Sequence, residues 1–148
     1  YSYLLRYSSG ADTRNQVYQN AIQKVEIGDG VTSIGSSAFY NCYSLSSITI
    51  PGSVTSIGSS AFYACYSLPS ITIPGSVTSI SDRGFNFCSG VRYYDFTRHT
   101  TVPTLSNIDA FNGIVADCEI RVPAALADKW KAATNWSTYA DHIVGVSA

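Results

Sequence analysis

The sequence predicts an α/β solenoid of stacked layers, and three observations predict it. Residues 31–53 read VTSIGSSAFYNCYSLSSITIPGS and residues 54–76 read VTSIGSSAFYACYSLPSITIPGS, so two adjacent 23-residue segments differ only at Asn41/Ala64 and Ser46/Pro69. Residues 77–99 keep the period, with identity at Val77, Thr78, Ser79, Ile80, Phe85 and Cys88. Where identity lapses the chemistry holds, since Leu68, Ile71 and Ile73 become Val91, Tyr94 and Phe96. A globular core rarely needs the same piece twice. Layers that cannot bury their own apolar face gain a continuous core by stacking, which is why such chains repeat.

The N-terminal thirty residues combine tyrosines, Leu4, Leu5 and the polar stretch SSGADTRNQ. They read as a cap that ends in a first strand at Lys24–Ile27, with Tyr1–Leu5 left open between strand and helix. IQKVEIGDG (22–30) aligns with LSSITIPGS (45–53), placing Ile22, Val25 and Ile27 in the Leu, Ile and Ile slots. In SSITIP, Ile48 and Ile50 alternate with Ser47 and Thr49, the period of a half-buried strand. Pro51 and Gly52 suit the central positions of a type II turn, and proline lacks the amide needed to continue a ladder. Val54 and Ile57 form a second short apolar return. SSAFYAC (59–65) reads as one tight helical turn with Phe62 and Cys65 pointing inward. AFNGIVADCEIRVP (110–123) aligns with AFYACYSLPSITIP (61–74) after three extra residues, which makes five layers, the outer two incomplete. Beyond Pro123, AALADKWKAA reads as a short helix beginning near the proline. Leu126, Trp130 and Ala133 share its inner face, and Trp136, Tyr139 and Ile143 continue the lid that an open terminal layer requires. The chain is thus read as one domain over 1–148: N-terminal cap and first strand at 1–30, three repeats at 31–99, last partial repeat and C-terminal cap at 100–148.

The pattern LxxITIPxSVTSIGxxAFxxC resembles the BspA-like subfamily of bacterial leucine-rich repeats. The residues that carry the resemblance are Ala38, Phe39, Cys42, Ile48, Ile50, Pro51 and Val54 through Gly58. The ending EIRVPAALADKWKAATNWSTYADHI (119–143) is similar to that family's terminal segment, and the resemblance covers residues 17–143. It implies a short right-handed solenoid with a parallel sheet on its concave side and one short helical turn per repeat. It also implies a secreted or cell-surface protein that works by adhesion or protein binding, without catalysis and without a cofactor.

Charged residues make up only 13% of the chain, about half the usual share, so hydroxyl groups and tyrosines must cover much of the surface. A net charge of −1 and an isoelectric point near 6.1 argue against a nucleic-acid partner, which calls for a basic patch. No stretch of the sequence approaches the ~20 apolar residues of a membrane span. With Tyr1 at its start and no methionine, the chain reads as a piece of something longer, leaving any signal peptide or anchor outside it.

Few residues invite chemistry. Cys42, Cys65 and Cys88 fill the same slot of successive layers. Such side chains run parallel and do not point at each other, which opposes a bridge and favours a ladder of small buried hydrophobes. Cys118 lies outside that ladder, in a state the sequence leaves open. His99 and His142 sit in no nucleophile or metal motif and read as surface residues. Asn135-Trp136-Ser137 matches the glycosylation pattern by chance.

Two surfaces are candidates for binding. Strand alternation puts Lys24, Ser47, Ser70, Tyr93 and Glu119 in one concave column and Glu26, Thr49, Thr72, Asp95 and Arg121 in the next. Tyr93, Asp95 and Arg121 enrich one end of that face, while Ser47, Thr49, Ser70 and Thr72 leave its centre plain. On the convex side Tyr40 and Tyr63 form one ladder and Tyr43 and Tyr66 another, read either as packing or as recognition. The expected partner is a protein or other macromolecule, host-derived or from a cell surface. A passive spacer and a carbohydrate-binding module using the tyrosines stand as alternatives.

Overall fold

Each hydroxyl-isoleucine alternation forms one short strand, and the same alternation one repeat later lies beside it. The computed structural model describes residues 21–148; the reading of Tyr1–Leu5 and SSGADTRNQ as a cap lies outside the described residues. In chain order the strands are β1 Lys24–Glu26, β2 Ser33–Ile34, β3 Ser47–Thr49, β4 Ser56–Ile57, β5 Ser70–Thr72, β6 Ser79–Ile80, β7 Tyr93–Asp95, β8 Thr104–Leu105, β9 Glu119–Pro123 and β10 Ile143–Val146. All pairing is parallel. The concave strands pair as β1–β3 and, separately, as β5–β7–β9–β10. The VTSIG return, read from the sequence as an apolar segment, is a sheet of its own in the order β2–β4–β6–β8. Its Ile34, Ile57, Ile80 and Leu105 are buried.

The segment read as one helical turn is instead a run of tight turns. Ser37, Asn41, Ser60, Ala64, Arg83 and Phe87 lie in the left-handed region, with φ between 55° and 59°, a conformation no right-handed helix contains. The reason is visible in the hydrogen bonds. Amides of Ala38, Tyr40 and Cys42 donate within the turn, to Gly35, Ser37 and Phe39. Amides of Ser37, Phe39 and Asn41 donate to Ser59, Ala61 and Tyr63 of the next layer. Alternate amides thus serve the turn and the stack, so this side of the solenoid is laddered as well. Phe and Cys still point inward, as the spacing requires.

The core follows from the stacking. Phe39, Phe62, Phe85 and Phe111 form a column with neighbouring ring centroids 5.3 Å apart and interplanar angles of 17° or less. Cys42, Cys65 and Cys88 are buried and free beside them. The Cys65 thiol donates to Phe39 O at 3.2 Å and the Cys88 thiol to Phe62 O at 3.0 Å, each crossing to the preceding layer. Cys118 is buried too, its amide donating to Val115 O as that of Val91 does to Cys88 O. It therefore takes the inward leucine slot of layer five. All four should resist alkylation in the native protein and react once it is denatured, because burial disfavours the thiolate. A Cys42–Cys65 linked peptide in the unreduced digest would contradict the ladder.

The C-terminal lid forms where the sequence places it. A 3₁₀ turn at Ala124–Leu126 follows Pro123 and runs into helix α1 at Ala127–Ala132. A second 3₁₀ segment covers Trp136–His142. Trp130 and Trp136 are fully buried, packed edge to face against each other and against Phe96. The lid also meets backbone groups that a further layer would have paired. Trp136 Nε1 donates to Pro103 O at 2.8 Å, Asn135 Nδ2 to Leu105 O at 2.6 Å, and the Tyr139 hydroxyl to Ile108 O while it accepts from Phe111 N. Side-chain donors thus close the outer edge of β8, and β10 closes that of β9. The amide nitrogen of the Asn135 sequon is held inside this contact, in keeping with a chance match.

Candidate functional site

The strand register sets the two concave columns. Lys24 pairs with Ser47 and Glu26 with Thr49; Ser70 pairs with Tyr93 and Thr72 with Asp95; Tyr93 pairs with Glu119 and Asp95 with Arg121. At the C-terminal end these side chains are tied together. The Arg121 guanidinium lies 3.9 Å from the Tyr93 ring centroid, and its Nε donates to Glu119 at 2.7 Å. Asp95 Oδ1 accepts from the amide and hydroxyl of Thr97 at 2.9 and 2.6 Å. An aromatic face, a guanidinium and two carboxylates are thus held on adjacent strands. Cation–π contact and a charge-assisted hydrogen bond fix Arg121, and among the described residues part of its donor fork has no partner. At the opposite end Lys24 and Glu26 form an exposed pair at 3.2 Å, and between the ends lie only Ser47, Thr49, Ser70 and Thr72.

One member of this face was not legible in the sequence. β10 sets Val144 beside Arg121 in the register, 39% exposed. Nothing in IVGV announces its pairing, because β10 belongs to no repeat.

The tyrosine ladders form as expected. Tyr40 stacks on Tyr63 at 4.7 Å and 12°, and Tyr43 on Tyr66 at 5.2 Å and 5°. Each ring gives one face to its neighbour, and Tyr43 and Tyr66 remain 39% and 46% exposed. Phe87 is the aromatic that sequence reasoning missed: 40% exposed, edge-on to Tyr63 at 5.5 Å, and in the left-handed region that bulky residues avoid. The signal was the change from FYxC to FNFC in residues 85–88, which moves the aromatic by one position. Asn86, shifted into the tyrosine slot, is buried with Oδ1 unpartnered.

Neither histidine is the free surface residue the sequence reading expected. His99 is buried, its Nε2 2.9 Å from Val77 O and its ring packed against Phe96 and Trp130. It fills the junction between stack and lid, a place set by tertiary packing. His142 is half-buried with Nδ1 2.9 Å from Cys118 O. Desolvation is the main cause of a lowered His99 pKa, outweighing the hydrogen bonds to Val77 and Phe96. The sign follows: below about pH 6.5 the unfolded chain takes up a proton that the folded site resists. Stability should be full above that pH and fall below it, by at most ~1.4 kcal/mol per pH unit. Denaturation midpoints at pH 7.5 and 5.5 check this, and His99→Gln should shrink the difference; an equal acid response in both proteins would refute the assignment.

Among the described residues no cluster of histidine, cysteine and carboxylate side chains could hold a metal ion, and no helix is long and apolar enough to cross a membrane.

Comparison with known proteins places these observations. The family model described as BspA type Leucine rich repeat region matches residues 13–120 in six copies. No curated protein gives a significant match. Among solved structures, a leucine-rich repeat protein from Bacteroides ovatus superposes with a TM-score of 0.64 at 25% identity, over 85% of this chain and 30% of its own. A leucine-rich cell surface protein from Faecalibacterium prausnitzii gives 0.60 at 27% identity, over 84% and 30%. The pneumococcal vaccine antigen PcpA gives 0.56 at 18% identity, over 83% and 34%, a likeness of fold. The chain spans about a third of the length of each of these proteins.

Proposed function

The chain belongs to the BspA-type leucine-rich repeat family, and on that premise we propose that it is a non-catalytic, surface-displayed or secreted module that binds a macromolecule through Tyr93, Asp95 and Arg121. The family and the neighbouring structures support a repeat scaffold for protein interaction, and one neighbour is described as a cell surface protein. The observation that carries the finer reading is the Arg121–Tyr93 contact with Glu119 bonded to the same guanidinium. Side chains already held on strands lose little further entropy on contact, so their binding energy is not spent on ordering them. The partner is a protein or comparable macromolecule on a host or neighbouring cell, met by an aromatic, a cation and carboxylates set against hydroxyl groups.

A ligand captured on a protein or glycan array gives the test. Tyr93→Ala and Asp95→Ala should each weaken binding by about 2 kcal/mol or more, the usual cost at a central anchor. Tyr40→Ala and Tyr63→Ala should leave it nearly unchanged. If only the tyrosine changes weaken binding, the ladders are the site. If none of the four matters, the second reading moves ahead, that of a passive spacer, which the near identity of residues 31–53 and 54–76 favours.

A further inference from the structure

We infer that the concave sheet contains a hinge between β3 and β5, placed there by Pro69. The two copies that meet at this point are almost identical, and on two of their three sides they are fully bonded. Thr55 N donates to Thr32 O and Gly58 N to Ile34 O in the return sheet; Ser37, Phe39 and Asn41 donate to Ser59, Ala61 and Tyr63 along the turns. On the concave side β3 and β5 are not paired, although β1–β3 and β5–β7 are.

Both missing rungs can be named. At the start of the strands, Ser46 N donates to Gln23 O and Arg92 N to Pro69 O, each at 2.8 Å. The corresponding donor toward Ser46 O would be the amide of residue 69, and proline has none. At the end of the strands, Ile27 N donates to Thr49 O, Ile73 N to Asp95 O and Phe96 N to Arg121 O. Ile50 occupies the same slot, yet among the described residues no such bond runs from it to Thr72. The side chains report the same opening: Val25, Ile71, Tyr94 and Ile120 are buried, whereas Ile48 is only half-buried.

A joint closed on two sides and open on the third moves as a hinge, widening the concave groove while each half stays rigid. One half carries Lys24, Glu26, Ser47 and Thr49; the other carries Tyr93, Asp95, Glu119 and Arg121. Ser46/Pro69 is one of only two differences between the copies, so a single residue sets the position of the joint.

Amide hydrogen exchange, resolved to single residues, tests this on the whole chain. In the unmodified protein the Ile50 amide should exchange at least about tenfold faster than that of Ile73, which keeps its rung. Pro69→Ser, which restores the residue already present in the preceding copy, should slow Ile50 to within about threefold of Ile73. The amides of Phe62 and Phe85, in the turn ladder, should be unmoved and so report any general change in stability. Ile50 exchanging as slowly as Ile73 in the unmodified protein, or as fast in Pro69→Ser as before, would overturn the hinge.

Discussion

Phe62→Ala should lower the stability of the domain by about 3–5 kcal/mol, and Tyr63→Ala, one residue on, by less than half as much. Phe62 is fully buried and stacks face to face on Phe39 below and Phe85 above, at 5.3 Å each. Truncation removes the transfer free energy of a whole ring and leaves a hole whose floor and ceiling are aromatic rings. Those rings are held by backbone bonds between layers, from Phe39 N to Ala61 O and from Phe85 N to Ala110 O. The cavity therefore cannot collapse freely, which puts the cost toward the upper end. Tyr63 is half-buried and stacks on Tyr40, with water able to replace much of what is lost. Denaturant titration of both variants checks the contrast, and equal midpoint shifts would contradict the layered core.

Raising the pH from 7.5 to 10 should remove much of the protein's stability. Burial raises the pKa of Cys42 to about 11 and those of Cys88 and Cys118 to about 12, with desolvation the largest cause in each, and it pushes Cys65 higher still. A folded pKa above the unfolded one means that stability is complete below the unfolded value, near 8.5, and is lost as pH rises toward the folded values. Between pH 8.5 and 10 each thiol should cost on the order of 1–2 kcal/mol, and the four together several kcal/mol. That is comparable to the whole stability of a typical domain. Thermal midpoints from pH 7.5 to 10 should fall steeply, and Cys65→Ala, whatever it does at pH 7.5, should make the fall shallower. A midpoint that holds constant to pH 10 would show that the thiols are not enclosed.

What could be read from the sequence was whatever the repeat itself specifies. The pairing of Tyr93 with Ser70 follows from strand alternation and the 23-residue offset, and those of Tyr93 with Glu119 and of Asp95 with Arg121 follow once the three extra residues before the last layer are allowed for. The buried tryptophans follow from helical spacing against an open end. Features that escaped depend on non-local contacts or on backbone shape. Asn41 has a known tolerance for the left-handed region, but Ser60, Ala64 and Arg83 do not, and hold it only because alternate amides are recruited by the next layer. His99 and β10 owe their places to the lid folding back over the last layers, where no repeat predicts the partner. The Arg121–Tyr93 contact lies between these cases: the columns could be read, while the diagonal reach of one side chain over the other depended on its rotamer.

The 23-residue offset shared by the pairs β1–β3, β2–β4, β4–β6 and β5–β7 also makes the length of this molecule adjustable in whole units. Because Lys24 meets Ser47 in the way that Ser33 meets Ser56 and Ser56 meets Ser79, one more copy of residues 31–53 inserted after Ser53 would find partners of the same kind above and below it. It would carry the lid outward by ~4.8 Å, the spacing of neighbouring strands, while leaving the lid's own bonds to Pro103, Leu105 and Ile108 untouched. Reach and termination are thus encoded in separate stretches of the chain, and an ancestor or an engineer could change one without revising the other.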